Sequence, residues 1–572
     1  MTTRNVSTSC DVLWVSRTID NQVAALLDDK QRPAVNIRDV TQRLVQAGAH
    51  WLSSDSLESE RSALALYPNG SAYSDIVQAS WSKDTSSPAG VFTAQLVPRL
   101  PFDEIIAPGD LLVIFMDNDH RFFESEREHG TLITFAIVDR VSASTSAGGA
   151  GETTDTYSLT SRDLGVIFQK TETVWDKAFA QIDQLYFDAA YVKRISDIGA
   201  ASLGPSESVL TLLDLIFNQN ATNSTIVGAQ WSFPRGTNGS GRPLSLLSLL
   251  DVSSYVQTPM FGFTLANSPG IVQAGNAWSL LEGYANRVVN EFFVDVRDRE
   301  SQDEELYDHL ESIAASFCSP GDVLRQNALK KHLAQSGAFN RSVLNTIDTD
   351  RAPVMALIHR QLPYDHDAFM RLPVVDLDHT EVFDVETATS SHDVANFFKI
   401  RFPDLEEAAQ ELIYGVKLNI DSIRRHGVCR MEVESRFMFT TSLLGDAYAN
   451  GTGIPVFGDV FDYYIELLST WYAANDFLRA GSIACRYRPD IRCGTRLRYQ
   501  SVRGVELNYY IQGVNHTFGR GEGQSQSMLT VVRGFQSGLG GVANNLFWGG
   551  KAGNRIPPNL AKFITINPLR GD

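Results

Sequence analysis

Asp117-Asn118-Asp119-His120 and Asp376-Leu377-Asp378-His379 each crowd two carboxylates and an imidazole into one short run. Such runs offer oxygen donors to a hard cation, but neither has the spacing of an EF-hand loop, and polar turns at strand ends have the same composition. Cys485 and Cys493 stand close in sequence without the second pair that a zinc site needs. His359 and His366 lie near Asp365 and Asp367 beside an expected strand end, with no identifiable third ligand. The run Gly549-Gly550-Lys551-Ala552-Gly553 lacks the upstream glycine and the Ser/Thr of a phosphate loop, and no HExxH or GxSxG is present. Carboxylates are too numerous for spacing to select a glycosidase pair. The sequence therefore assigns no catalytic residue, no metal ligand and no cofactor.

One cluster suits contact rather than chemistry. Leu546, Phe547 and Trp548 stand among Gly and Asn in a tail with little core of its own. Large apolar groups in such a setting either fold back on the chain or dock into a partner, and these three are the candidate interface residues.

The elements that would position these groups belong to a long, folded chain. It has 572 residues, 43% of them hydrophobic, with 31 Phe and 18 Tyr, which provides for several domains with cores. Lys and Arg number 49 against 67 Asp and Glu, a net charge of -18 that argues against a nucleic-acid grip. The five cysteines are sparse and odd in number, as in proteins made in a reducing cytosol. The first residues, MTTRNVSTSCD, contain no apolar signal region, and no apolar run is long enough to span a bilayer.

Patterning divides the chain into blocks. Residues 1–70 are expected to be a helical extension, with one helix after Asp20 and another carrying Ile37, Val40, Leu44 and Val45. Residues 71–175 alternate as strands separated by Pro-Gly turns, with 142–156 as a flexible hairpin loop. Residues 176–287 are mixed, with a capped helix near Ser206. A second helix starts at Asn276, carries Trp278, Leu281, Ala285, Val288 and Val289 as its stripe, and leads into a strand at 292–296. Residues 299–350 form an acidic helical insert, and 365–480 a helical insert domain whose clearest helix, 459–481, ends on Gly481 as its cap. Residues 536–572 are a Gly/Asn-rich tail.

Two strand-rich blocks read alike in order. TAQLVPRLPF (93–102) stands against MALIHRQLPY (355–364), PGDLLVIF (108–115) against CGTRLRYQ (493–500), LITFAIVDRVS (132–142) against LNYYIQGVNHT (507–517), and YSLTSRDLG (157–165) against SMLTVVRGF (527–535). DIVQASWS precedes the first set as EFFVDVRD precedes the second. Any one match is weak, but five in the same order indicate a duplicated unit, its second copy built from 288–364 and 481–535. The expected fold class is α+β, mainly β: two antiparallel β-barrels with mixed and helical inserts.

The string SWSKDTSSPAGVFTAQLVP, then IIAPGDLLVIFMD and YSLTSRDL, resembles the first barrel of the baseplate hub proteins of tailed phages. WSLLEGYANRVVNEFFVDVRD, PVMALIHRQLPY, SHDVANFFKI, RPDIRCGTRLRY, NYYIQGVNHTF and SMLTVVRGF resemble the second, and the spike-base protein of type VI secretion carries a similar pair. The likeness covers about residues 70–535 and lies in the order of elements. It implies tail-tube-like barrels and a homotrimer forming a pseudo-hexameric ring. It further implies a virion location and partners among the tail tube protein, the tail spike protein, other baseplate proteins and the tape measure protein, with DNA only in transit. A tail-associated cell-wall hydrolase and a glycan- or receptor-binding distal tail protein remain as alternatives.

Overall fold

The computed structural model describes residues 8–16, 22, 37–54, 75–118, 130–147, 153–173, 232–237, 243–245, 249–254, 275–285, 287, 290–298, 353–363, 366–390, 394–401, 416–434, 465, 468, 469, 471, 472, 475, 477–519 and 524–537. The strands in chain order are β1 (Ser9–Val15), β2 (His50–Ser53), β3 (Ile76–Asp84), β4 (Val91–Leu96), β5 (Leu111–Asp117), β6 (Thr131–Ala147), β7 (Thr153–Asp163) and β8 (Glu172–Thr173). There follow β9 (Ser232–Thr237), β10 (Pro243–Ser245), β11 (Leu250–Ser254), β12 (Gly275–Asn276), β13 (Asn290–Asp298), β14 (Pro353–Gln361), β15 (Val374–Asp378) and β16 (Val382–Thr389). The last are β17 (Phe397–Arg401), β18 (Lys417–Leu418), β19 (Arg430–Glu434), β20 (Arg479–Arg486), β21 (Arg496–Gln500), β22 (Glu506–Gly519) and β23 (Gln526–Gln536). The fold is α+β and mainly β.

Thirteen strands form one sheet in the order β16-β20-β23-β22-β3-β4-β7-β6-β5-β1-β2, with β21 beside β22 and β15 beside β21. It contains two copies of one five-strand unit. In the first the order is β3-β4-β7-β6-β5, and in the second β16-β20-β23-β22-β21, each visited by the chain in the same sequence. Over their central stretches the registers agree. Ala94 pairs Leu159 as Ile483 pairs Leu529, and Val141 pairs Leu159 as Val514 pairs Leu529. Leu111 pairs Ile137 as Arg496 pairs Tyr510.

Two of the irregularities are duplicated too. The ladder shifts between Val138 and Arg140, and at the matching place between Ile511 and Gly513. It shifts again between Ile76 and Gln78, and between Val382 and Asp384. A bulge is a local backbone feature that a chance resemblance between two sheets has no reason to reproduce.

The hydrophobic cores follow from strand alternation. In β3 the side chains of Ala79, Trp81 and Lys83 share the buried face, as period two requires. Ala79 and Trp81 meet Phe92, Ala94, Ile114, Val138 and Leu159 in the first core, whereas Ile483, Leu497, Tyr509, Ile511, Leu529 and Val531 build the second. Tyr487 and Phe518, from the second unit, are buried in the first unit's core.

Several sequence expectations need correction. The block 1–70 is not simply helical: β1 pairs with β5 and β2 with β1, so this stretch extends the first unit's sheet beside a helix at Ile37–Gln46. The alternation of Cys10, Val12 and Trp14 is short beside the helical patterns that follow it. The candidate helix after Asp20 falls outside the described residues apart from Gln22. The loop expected over 142–156 is much shorter, because β6 runs to Ala147 and β7 begins at Thr153. Ser and Thr, read as loop formers, serve equally well on an exposed ladder.

β13 and β14 do not belong to the second unit. They pair antiparallel with each other, and β14 pairs parallel with β11, in a separate three-stranded sheet. The true counterparts of β3 and β4 are β16 and β20. The insert 365–480 is accordingly not a helical domain. It supplies β15 and β16 to the large sheet and the small sheet β18-β17-β19, with helices at His366–Arg371 and Ile420–His426. Within 459–481, Ile465, Leu468, Ser469, Trp471 and Tyr472 are helical, but Gly481 lies inside β20 rather than capping the helix. The helix Ala277–Ala285 follows Asn276, whose Oδ1 accepts from Ser279 N–H at 2.8 Å, the expected cap. The helix near Ser206, the 299–350 insert and the tail from 538 lie outside the described residues.

Candidate functional site: the junction of the two units

The two units meet along β3 and β22. Seven residue pairs, from Gly513↔Asp84 to Gly519↔Gln78, continue the ladder from one copy into the other. β22 is long enough to pair β21 through Glu506–Tyr510 and then β3 through Gly513–Gly519. The bulge between Ile511 and Gly513 separates the two pairings, consistent with the bend a bulge introduces. Side chains lock the seam. Arg492 donates from Nη1 to the Ile133 carbonyl at 3.1 Å and from Nη2 to that of Leu132. Cys493 Sγ donates to the Lys83 carbonyl at 3.3 Å, and Thr85 N–H donates to Gln512 O at 3.0 Å.

Next to the seam lies a buried ion pair. Lys83 Nζ stands 2.9 Å from Asp163 Oδ2, and both side chains are buried. The same carboxylate accepts N–H bonds from Gly90 at 2.7 Å and Gly165 at 2.8 Å. Burial pushes the Asp163 carboxyl up, opposed by Lys83 and the two amides. His516, opposite Trp81, is also buried, with Nδ1 2.8 Å from Ser527 Oγ and Nε2 3.1 Å from the Ile491 carbonyl. A carbonyl can only accept, so Nε2 carries the proton and Nδ1 accepts from the serine hydroxyl. Burial, with Arg492 nearby, lowers this imidazole to about 4. It is a neutral structural group.

A cavity of about 410 Å³ opens between the second unit and β13, lined in part by Arg287, Glu291, Trp471, Tyr472, Tyr510 and Arg533. Its charged groups are tied into the walls. Glu291 accepts from Arg360 Nε at 2.7 Å and from the Tyr510 hydroxyl, while Arg360 also donates to the Gly494 carbonyl. Arg533, with a left-handed φ of 58°, places its guanidinium 3.8 Å from the Trp471 ring centroid and donates to the Trp471 carbonyl. Among the described residues the lining includes no histidine and no cysteine. Among the described residues the arrangement fixes one sheet against another.

The sequence's own candidates are dispersed. Asp376 forms an ion pair with Arg498 at 2.5 Å, and Asp378 accepts from Thr380 N–H at 2.8 Å as the cap of a short 3-10 turn. Asp117 Oδ1 accepts from Asn118 N–H at 2.7 Å, and Asp119 and His120 lie outside the described residues. Among the described residues no cluster of three or more His, Cys, Asp or Glu could hold a metal ion. Cys485 and Cys493 are buried in the second core, where burial pushes the Cys485 thiol up to about 12 and raises Cys493 as well. His359 is buried with Nε2 2.9 Å from the Ala285 carbonyl, and burial lowers it to about 4. Leu546, Phe547 and Trp548 lie outside the described residues. Sequence reasoning missed Lys83, although its place two residues after Trp81 on an alternating strand was a readable sign that it points inward.

No family model matches the chain, and no curated protein matches it. Among solved structures it is similar to a tail protein from Neisseria meningitidis MC58, at 9% identity and a TM-score of 0.40 over 81% of this chain and 94% of that one. It is similar to the 43 kDa tail protein of prophage MuSo2 from Shewanella oneidensis, at 9% identity and a TM-score of 0.37 over the same shares. The third is the E. coli c3393 protein, a component of the type VI secretion system with structural similarity to T4 bacteriophage tail proteins gp27 and gp5. It matches at 8% identity and a TM-score of 0.33, over 81% of this chain and 74% of that one.

Proposed function

We propose that the chain is a structural protein of a phage tail: the central baseplate hub, which joins the tail tube to the spike. The observation that carries this reading is the duplicated unit, with one strand order, one register and the same two bulges in both copies. Two like units per chain let three chains present six units around an axis. One face of such a ring suits a six-fold tube and the other a three-fold spike. The ring's partners are the tail tube protein, the spike, other baseplate proteins and the tape measure protein, and DNA crosses it only in transit. The acidic balance suits a passage that gives phosphates few cations to hold. The role is assembly and gating rather than catalysis.

The test is the native mass of the purified chain, alone and with its spike partner. A trimer is expected, and monomers under both conditions would count against the ring. Peptidoglycan zymography is expected to show no lysis, and clearing would favour the hydrolase. Tight, salt-sensitive DNA binding would overturn the expectation of a non-cationic passage.

A further inference from the structure

The cavity of about 410 Å³ beside the second unit falls within the roughly 300–1,000 Å³ of small-molecule sites. Separate parts of the chain meet around it: the end of the seam at Thr85 and Gln512, the start of β13 at Asn290 and Glu291, and the helical residues Trp471 and Tyr472. Among the described residues, three of its lining side chains keep hydrogen-bonding capacity that the protein does not use. An arginine has five N–H donors; in Arg287, Nη1 reaches Glu282 and Nη2 stretches 3.5 Å to the Thr85 carbonyl. The Tyr472 hydroxyl makes no hydrogen bond with the described residues. Asn290, 2% exposed, donates from Nδ2 to the Ala285 carbonyl at 2.8 Å, while its Oδ1 is buried with no donor among the described residues.

A buried acceptor without a donor destabilises the fold, so Asn290 calls for a donor that the described residues do not supply. The field around it favours an anion. Burial raises the Tyr472 hydroxyl, and the guanidiniums of Arg533 and Arg287 oppose that rise. Glu291, a carboxylate on the lining, is already engaged by Arg360 and the Tyr510 hydroxyl. Leu362, Leu478 and Val532 add apolar lining.

We propose that the cavity binds a carboxylate with an adjacent N–H and an apolar side chain, as in an N-acylated amino acid or the free end of a peptide. The carboxylate oxygens accept from Arg287 and from the Tyr472 hydroxyl, and the planar guanidinium suits a planar carboxylate. The N–H donates to Asn290 Oδ1, and the apolar side chain lies against Leu362, Leu478 and Val532. A phosphate dianion suits the site less, because the carboxylates of Glu282 and Glu291 stand close by. A bound carboxylate would join the seam, β13 and the helical residues through one molecule. The site does not depend on the hub reading.

The test is isothermal titration of the full-length protein with N-acetyl-L-phenylalanine and N-acetyl-L-leucine, each expected to show saturable binding to one site. Their uncharged carboxamides should bind at least about tenfold more weakly, since the charge-assisted bonds are lost. Arg287→Gln and Tyr472→Phe should each weaken binding at least about fivefold, whereas Arg424→Gln, exposed and outside the lining, should bind as the parent does. Should Tyr472→Phe lower the melting temperature, Arg287→Gln, at a partly exposed side chain, carries the test alone. A short peptide ending in phenylalanine separates the sources: binding as tight as the acetylated amino acid assigns the site to a chain end, and absence of binding assigns it to a free small molecule. Failure of every carboxylate to bind would overturn the site, as would unchanged affinity in Arg287→Gln. Inorganic phosphate binding more tightly than either acetylated amino acid would overturn the choice of carboxylate.

Discussion

Gly109 and Gly494 occupy the same point of the two units, each opening the turn that leads into a strand. Gly109 N–H donates to the Val138 carbonyl at 2.8 Å, and Gly494 N–H to the matching Ile511 carbonyl at 2.8 Å. Val138 N–H returns a bond to Asp110 O at 2.8 Å, as Ile511 N–H does to Thr495 O at 3.0 Å. Both glycines are left-handed, with φ of 94° and 69°. The turn has been kept in both copies while the side chains around it diverged.

Replacing either glycine by alanine is expected to destabilise the protein by at least about 1–2 kcal/mol, the cost of a left-handed L-residue. Gly494→Ala should cost more, because its Cβ would stand 2.6 Å from Arg360 Nη2 and 3.0 Å from Phe293 Cζ. Urea denaturation of the two variants measures the order. Equal stability to the parent would contradict the duplicated turn geometry.

Lys83→Met leaves the Asp163 carboxylate buried without its cation. Breaking one side of such a pair costs about 3–5 kcal/mol, and recovery is expected when Asp163→Asn is added. A double-mutant cycle on unfolding midpoints checks this, and independent, additive losses would show that the pair is not coupled.

Stability is expected to fall with acid over a defined window. His359 and His516 have folded-state values of about 4 against an ordinary 6.5. Between those values the unfolded chain binds protons that the folded chain refuses, so the contribution is complete above pH 6.5 and lost progressively towards pH 4. Each histidine accounts for up to about 3 kcal/mol. Unfolding free energies measured from pH 7.5 to 4 should slope accordingly, and His516→Asn should flatten the slope.

The tail gives a prediction about assembly. Phe547→Ala with Trp548→Ala is expected to weaken attachment to the spike and leave the melting temperature of the isolated chain unchanged. A fall in that melting temperature would mean that these side chains pack within their own chain.

The sequence resolved the duplication but not all of its parts. CGTRLRYQ and SMLTVVRGF align with PGDLLVIF and YSLTSRDLG in the register the structure has, because a turn glycine or a shared Leu-Thr anchors each pair. LNYYIQGVNHT matched the right strand in the wrong register: the strings set Val141 against His516, whereas the ladders match it to Val514. β16 escaped notice because Asp384 and Glu386 break the apolar alternation, as an edge strand permits. β13 and β14 took its place, since a short strand's pattern records its burial and not its neighbours. The junction was illegible for the same reason. Which edges meet depends on residues far apart in the chain, and only Lys83, inward-facing beside Trp81, announced a buried partner.

The seam between β3 and β22 also sets a schedule for synthesis. The strands of the first unit are complete once Asp163 has been made, but the partner of β3 begins to emerge only with Gly513. At about 5–20 residues per second, the roughly 350 residues between Asp163 and Gly513 take some 18–70 s to translate. For that interval a finished half-molecule waits on the ribosome with an unsatisfied row of amides and carbonyls. On a polysome, neighbouring nascent chains expose the same row at the same time. The order in which the ribosome delivers the strands thus sets premature association between half-made chains in competition with correct folding.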